Sequence, residues 1–152
     1  MTLPFVIVCT HLIATVMMTG LIWFVQVVHY PLMSRVGTGG FIVYERDHMQ
    51  RTTWVVAPLM LVELITALML AAQPMVMTGA AWVSPVLAWT GMALVGVIWA
   101  STALLQVPCH RRLAQGFDPA SWRRLVRTNW MRTAAWSARS CLALQMLIVM
   151  RG

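Results

Sequence analysis

The sequence predicts an all-α integral membrane protein, a single domain built as a bundle of four transmembrane helices. Of its 152 residues, 60% are hydrophobic and 10% are charged, and the mean hydropathy is +0.75. Soluble domains carry roughly 25% charged residues, so the composition excludes an ordinary soluble fold. A bilayer core about 30 Å thick takes roughly 20 apolar residues of helix. Four such segments fill this chain and leave only short connections.

Proline marks three boundaries of the expected helices. Pro31 is expected to end the first helix, because proline lacks a backbone N–H and clashes with the preceding turn. Ser84 before Pro85, and Asp118 before Pro119, each pair a capping side chain with a first-turn proline, a common helix start. The four membrane spans are expected at residues 4–30, 48–72, 85–107 and 129–150.

The distribution of arginine predicts the orientation. All eleven basic residues are arginine, and most lie in or beside the first and third connections. Cytoplasmic connections are enriched in basic residues, so both termini are expected outside, in a bacterial inner membrane. The net charge of +7 then follows from topology and does not indicate nucleic-acid binding. The nine arginines on the expected cytoplasmic side are Arg35, Arg46, Arg51, Arg111, Arg112, Arg123, Arg124, Arg127 and Arg132.

The two halves of the chain share a faint pattern. Trp23 in the first span corresponds to Trp99 in the third, and each follows an isoleucine. His48 in the second corresponds to Asn129 in the fourth, and an Arg-Thr pair follows each at the same spacing. The pattern predicts two helical hairpins related as an internal repeat. Chance similarity of two apolar hairpins is the alternative.

Two opposite charges fall near the middle of different spans, Glu63 in the second and Arg139 in the fourth. An unpaired charge at that depth costs at least about 2.5–3.5 kcal/mol. The sequence therefore predicts an ion pair between them. The alternative is that Glu63 carries protons. His11 has no other histidine at its depth and is expected to be a hydrogen-bonded interior residue.

Three of the four histidines lie at the expected cytoplasmic ends of spans: His29, His48 and His110. Glu45 precedes His48 by three residues, a spacing that directs a carboxylate and an imidazole into one site. Three imidazoles and a carboxylate suit zinc, iron or copper, and haem is a further candidate. The alternative is that these side chains anchor at the headgroup boundary. Four nearby polar residues are expected to orient the ligands by hydrogen bonds: Gln26, Tyr30, Gln106 and Asn129.

These features support three functional hypotheses. The leading one is a metal- or haem-binding membrane protein, an oxidoreductase acting on a lipophilic substrate at the cytoplasmic boundary. The second is a small proton-coupled transporter centred on Glu63, working as a homo-oligomer. The third is an accessory subunit without chemistry of its own. Met75 and Met77, in the second connection, are too few to form a copper(I) site alone.

Three segments carry a resemblance to known proteins: residues 106–113 (QVPCHRRL), residues 129–133 (NWMRT) and the triplet that begins at His29. They resemble a family of small bacterial four-span membrane proteins of uncharacterised activity. The likeness covers most of the chain and implies a four-span topology and no chemistry. Small multidrug-resistance transporters also have four spans, but their membrane glutamate lies in the first, whereas Glu63 lies in the second.

The orientation can be tested by labelling single cysteines in intact cells, in a chain without its natural cysteines. A cysteine at Thr78 or Gly79 should react with a membrane-impermeant thiol reagent, and a cysteine at Gly116 should be protected. The reverse pattern would show that the arginine-rich connections are external.

Overall fold

The computed structural model describes residues 2–76 and 81–151, with side chains over 2–73 and 81–150. These residues form four long helices and no strand. Each helix is long and apolar enough to cross a membrane, which confirms the predicted four-helix class. Of the outer connection expected at residues 73–83, residues 77–80, with Met77, and the side chain of Met75 lie outside the described part. The helices are α1 (Leu3–Met33), α2 (Phe41–Val76), α3 (Pro85–Leu113) and α4 (Pro119–Arg151).

The helices form a closed ring in which α1 and α3 each pack against α2 and α4. Short connections at residues 34–40 and 114–118 define one end, called here the arginine-rich end. The chain termini define the other, the terminal end. Apolar side chains fill the interior in three clusters along the bundle. Their most buried members include Val8, Leu70 and Met146 at the terminal end, Met18, Ile98 and Trp136 in the middle, and Met33, Phe41 and Leu125 at the arginine-rich end.

The structure contradicts the prediction that Pro31 ends the first helix, because α1 continues to Met33. The helix passes the proline through a π turn at Val25–His29, where the Tyr30 N–H donates to the Val25 carbonyl five residues back. A π turn inserts one extra residue and displaces the carbonyls of the preceding turn. The proline ring therefore fits where a regular α-helix would hold a clashing carbonyl.

The same arrangement recurs in α3. A π turn spans Thr102–Gln106, the Val107 N–H donates to the Thr102 carbonyl, and Pro108 is the residue after Val107. The two π turns lie at corresponding places in the two hairpins, each with one residue between it and the proline. This correspondence supports the predicted internal repeat.

The start of α4 agrees with its sequence. Asp118 accepts hydrogen bonds from the backbone N–H groups of Ala120, at 3.2 Å, and Ser121, at 3.0 Å. The Ser121 hydroxyl and these backbone N–H groups hold the pKa of the Asp118 carboxyl below its ordinary value. The start of α3 agrees only in its backbone, because the Ser84 side chain makes no capping hydrogen bond.

Candidate functional site

The predicted ion pair lies in the middle of the bundle. The Arg139 Nε donates to Glu63 Oε1 at 2.9 Å, and the two side chains are only 1% and 2% exposed. The indole Nε1 of Trp136 donates to the second carboxylate oxygen, Oε2, at 3.0 Å. Both oxygens of Glu63 are therefore engaged.

The remaining nitrogens of Arg139 reach the other two helices. Its Nη1 donates to the Gly91 carbonyl of α3, and its Nη2 lies 3.5 Å from His11 Nε2 on α1. His11 Nδ1 lies 2.8 Å from the Thr66 hydroxyl, which donates its own hydrogen to the Val62 carbonyl. A neutral His11 with its proton on Nδ1 satisfies every contact. The expectation that His11 is a hydrogen-bonded interior residue is confirmed, with partners that the sequence did not indicate.

The mid-bundle contacts bear on the transporter hypothesis. A carboxylate that carries protons needs an oxygen that can exchange them, and both oxygens of Glu63 are held by Arg139 and Trp136. The geometry therefore favours a structural ion pair over a proton carrier at this position, and the transporter hypothesis stays a prediction.

A second polar cluster occupies the arginine-rich end. His110 Nδ1 lies 2.6 Å from Glu45 Oε1, and the Glu45 side chain is fully buried. On the opposite edge of the imidazole, His110 Nε2 lies 3.3 Å from the Tyr30 hydroxyl. The second oxygen of Glu45, Oε2, is buried without a hydrogen-bond partner among the described residues. His110 is thus held between a carboxylate and a phenol.

The other two histidines stack on each other beside this pair. The rings of His29 and His48 are 4.1 Å apart between centroids, with an interplanar angle of 22°. His48 Nδ1 lies 3.1 Å from the Thr52 hydroxyl, and His29 Nε2 lies 3.4 Å from the Tyr44 hydroxyl. The centroids of His48 and His110 are 5.6 Å apart. The structure therefore brings all three predicted histidines together with Glu45.

These side-chain positions do not form a ready metal site. An imidazole binds a metal through a lone pair in the ring plane, at about 2.0–2.1 Å for zinc. Because the rings of His29 and His48 are stacked face to face, one ion cannot lie in both ring planes at that distance. Among the described residues, no group of three histidine, cysteine or acidic side chains is arranged to hold a metal ion. The three histidines and Glu45 lie together, but their side chains are not oriented as the ligands of one metal ion.

Of the four residues expected to orient the ligands, Tyr30 contacts the histidine cluster. The other three serve contacts elsewhere. Asn129 Nδ2 donates to Gln26 Oε1 at 2.8 Å, and Gln106 receives a hydrogen bond from Ser101 at 2.9 Å. Helical spacing gives the face of a residue but not its rotamer, so the role predicted for these three residues stays a prediction.

Tyr44 and Thr52 hold the stacked histidines, and neither was predicted to do so. Both lie four residues from His48 on α2, one on each side, where helical neighbours share a face. That spacing is the sequence feature by which they could have been found.

Next to this cluster lies an apolar cavity of about 430 Å³, bordered by α1, α2 and α3 and by one residue of α4. It runs from Met18 and Met60, near mid-bundle, to the histidines at the arginine-rich end. Leu61 of α2 and Trp99 of α3 border it and are exposed on the outer surface of the bundle, 49% and 36% respectively. The cavity therefore opens sideways between α2 and α3. Its polar lining includes Tyr30, His48, Thr52, Gln106, His110 and Arg132.

Arg132 is the α4 residue that borders the cavity, and its side chain is 7% exposed. Its Nη1 donates to Asn129 Oδ1 at 3.1 Å, and its guanidinium lies 5.1 Å from the Trp136 ring centroid. Its Nε is buried without a hydrogen-bond partner among the described residues. The sequence placed Arg132 with the membrane-flanking arginines, and the structure places it in the interior. The other eight members of that group are exposed.

Comparison with known proteins gives no assignment. No family model matches the chain, and searches of curated proteins and of solved structures found no match.

Replacing either partner of the central ion pair should leave the other charge buried. We expect Glu63→Gln or Arg139→Gln alone to lower the free energy of unfolding by about 3–5 kcal/mol. Glu63→Leu combined with Arg139→Leu removes both charges and should cost less than either single replacement. Unfolding of the purified protein by sodium dodecyl sulfate, followed by circular dichroism, measures these differences.

The control is the exposed pair of Asp47 and Arg51, whose charged atoms are 3.9 Å apart on α2. Asp47→Asn should change the free energy of unfolding by no more than about 0.5 kcal/mol, because exposed pairs contribute little. If Glu63→Gln were as mild as Asp47→Asn, the central pair would not be a structural constraint.

Proposed function

We propose that this protein binds a lipophilic molecule from the membrane in the cavity between α2 and α3. The apolar body of the ligand would lie along Met18, Met60 and Leu61, and its polar head would face His48 and His110. The observation that carries the proposal is the composition of the cavity. Its walls are largely apolar, and it is polar at the arginine-rich end, where His48 and His110 border it. Small-molecule sites share this pattern of apolar walls and few polar groups.

The sideways opening supports a ligand that arrives through the bilayer. A molecule dissolved in the membrane would pass between Leu61 and Trp99 without crossing the polar ends of the bundle. We place the arginine-rich end on the cytoplasmic side of a bacterial inner membrane, because of its eight exposed arginines. The polar head of the ligand would then lie near the cytoplasmic boundary.

The contacts of His110 fix it as a polar group beside such a head group. The imidazole borders the cavity, and Glu45 holds its Nδ1 at 2.6 Å. A buried carboxylate behind an imidazole fixes the ring orientation. Because Tyr30 lies 3.3 Å from Nε2, the phenol and the imidazole would face the head group together at the cavity wall.

Filling the cavity should abolish binding. Ala57 borders the cavity on α2, and Ala57→Phe places a ring in the space without removing any polar group. Ala138→Phe is the matched control, because Ala138 is exposed on α4. Protein purified from membranes in mild detergent, extracted with solvent and analysed by mass spectrometry, should carry one enriched lipophilic compound. Ala57→Phe should lose it and Ala138→Phe should retain it. Identical extracts from both variants would contradict the proposal.

A second candidate is the metal-dependent oxidoreductase expected from the sequence. Glu45 Oε2 favours it, because this oxygen is buried without a partner among the described residues and lies in a cluster with three imidazoles. Metal binding would require at least one of the stacked rings, His29 or His48, to rotate. A bound transition metal would supply the redox chemistry, and the cavity would supply the lipophilic substrate.

Elemental analysis and a visible spectrum of purified protein test this candidate. We expect about one zinc, iron or copper ion per chain, or a haem spectrum, and loss of that signal on His48→Ala combined with His110→Ala. His11→Ala is the control, since His11 lies in the separate mid-bundle network. A colourless, metal-free protein that still binds a lipophilic ligand would leave the first proposal standing and exclude the second.

A further inference from the structure

Arg132 is a buried cation without an acidic partner. Its contacts are the amide oxygen of Asn129 and the ring face of Trp136, and the Tyr30 hydroxyl lies close enough to interact with it. None of these groups is an anion at neutral pH. The guanidinium carries five N–H donors, and its Nε makes no hydrogen bond within the described residues.

No acidic side chain forms an ion pair with Arg132 within the described residues. The chain contains four Asp and Glu residues in total, and each has a contact with a group other than Arg132. Those four are Glu45 bound to His110, Asp47 beside Arg51, Glu63 bound to Arg139, and Asp118 capping α4.

A buried charge in a membrane span normally pairs with an opposite charge or with backbone carbonyls. Arg132 borders the cavity, so a bound ligand is the group that can supply this partner. We propose that the ligand is a single-chain amphiphile with an acidic head, a long-chain carboxylic acid whose carboxylate pairs with Arg132. The inference rests on the proposed function, because it requires the cavity to hold a lipophilic molecule.

The position of Arg132 fits this arrangement. Guanidinium and carboxylate groups match in a planar, two-bond geometry. The Trp136 ring lies against the guanidinium, at 5.1 Å, and the hydrogen bond from Nη1 to Asn129 fixes it further. His48 and His110 border the same polar end and would flank the head group.

The size of the cavity favours one alkyl chain. Its volume of about 430 Å³ falls in the range of small-molecule sites, roughly 300–1,000 Å³. The apolar walls continue from Arg132 towards Met18 and Met60, so a chain attached to the head group would lie along them. A two-chain phospholipid would have to leave one chain outside.

The test compares two probes of equal chain length, palmitate and hexadecanol, binding to the purified full-length protein in detergent. Radiolabelled palmitate binding and its displacement by each unlabelled probe give both affinities. Charge-assisted hydrogen bonds are about twice as strong as neutral ones, so we expect palmitate to bind at least about tenfold more tightly. Arg132→Gln should remove this preference, and Arg132→Lys should retain part of it. Arg127→Gln is the matched control, because Arg127 is exposed on the same helix.

The outcomes separate the inference from the function on which it rests. Equal affinity for palmitate and hexadecanol in the natural protein, both lost in Ala57→Phe, would overturn the acidic ligand and keep the lipophilic cavity. Binding of neither probe would overturn the long-chain ligand of the inference, and the solvent extract of the purified protein would decide the cavity proposal separately. Displacement of palmitate by phosphatidylglycerol at a comparable concentration would overturn the single-chain carboxylic acid in favour of a bilayer lipid. The probe comparison needs no variant, so it remains decisive even if Arg132→Gln fails to fold.

Discussion

The Arg139 side chain is the contact on which the bundle depends. It binds Glu63 of α2, the Gly91 carbonyl of α3 and His11 of α1, and Trp136 of its own helix binds the same carboxylate. One residue of α4 thus reaches all three other helices at a single depth. Lipid offers no hydrogen-bond partner to a charge at that depth, so the helices must assemble in the arrangement that supplies these groups. The apolar clusters on either side of this network could pack with each helix rotated in many ways. The hydrogen bonds of Arg139 form in only one of these arrangements.

Arg132 and Arg139 lie two turns apart on the same face of α4, yet their surroundings differ. Arg139 has a buried acid, and Arg132 has an amide, an indole and an opening into the cavity. Trp136 lies between them in the helix: it donates a hydrogen bond to Glu63, the partner of Arg139, and its ring centroid lies 5.1 Å from the Arg132 guanidinium. A buried charge whose role is to hold helices together is stabilised best by an opposite charge of the same protein, as Arg139 is by Glu63. Within the described residues no such partner lies beside Arg132, as is expected of a site where a ligand supplies the opposite charge.

Much of this structure was accessible from the sequence, and the failures share one cause. Four spans follow from hydropathy, and the contact of Glu63 with Arg139 follows from their opposite signs and similar depth. The meeting of His29, His48 and His110 follows from their places at helix ends. Rotamers do not follow from any of these patterns, so the stacking of His29 on His48 was not predicted. Counting arginines groups Arg132 with the exposed ones near the boundary, whereas its helical spacing puts it on the same face as Asn129 and Arg139. The cavity depends on how far α2 and α3 stand apart, which no local pattern records.

The two π turns link the helix irregularities to the proposed site. A π turn rotates the residues that follow it relative to a regular helix, and π turns are frequent at functional sites. In α1 the turn contains Gln26, which is buried and accepts a hydrogen bond from the Asn129 amide. The amide oxygen of Asn129 accepts a hydrogen bond from Arg132. In α3 the turn ends with Gln106, which borders the cavity and donates to Thr128 of α4. Pro31 and Pro108 make a regular helix unfavourable at both places. In both helices the proline thus follows a π turn whose glutamine is buried and bonded to α4, and in α1 that glutamine bonds to Asn129, the residue that holds Arg132.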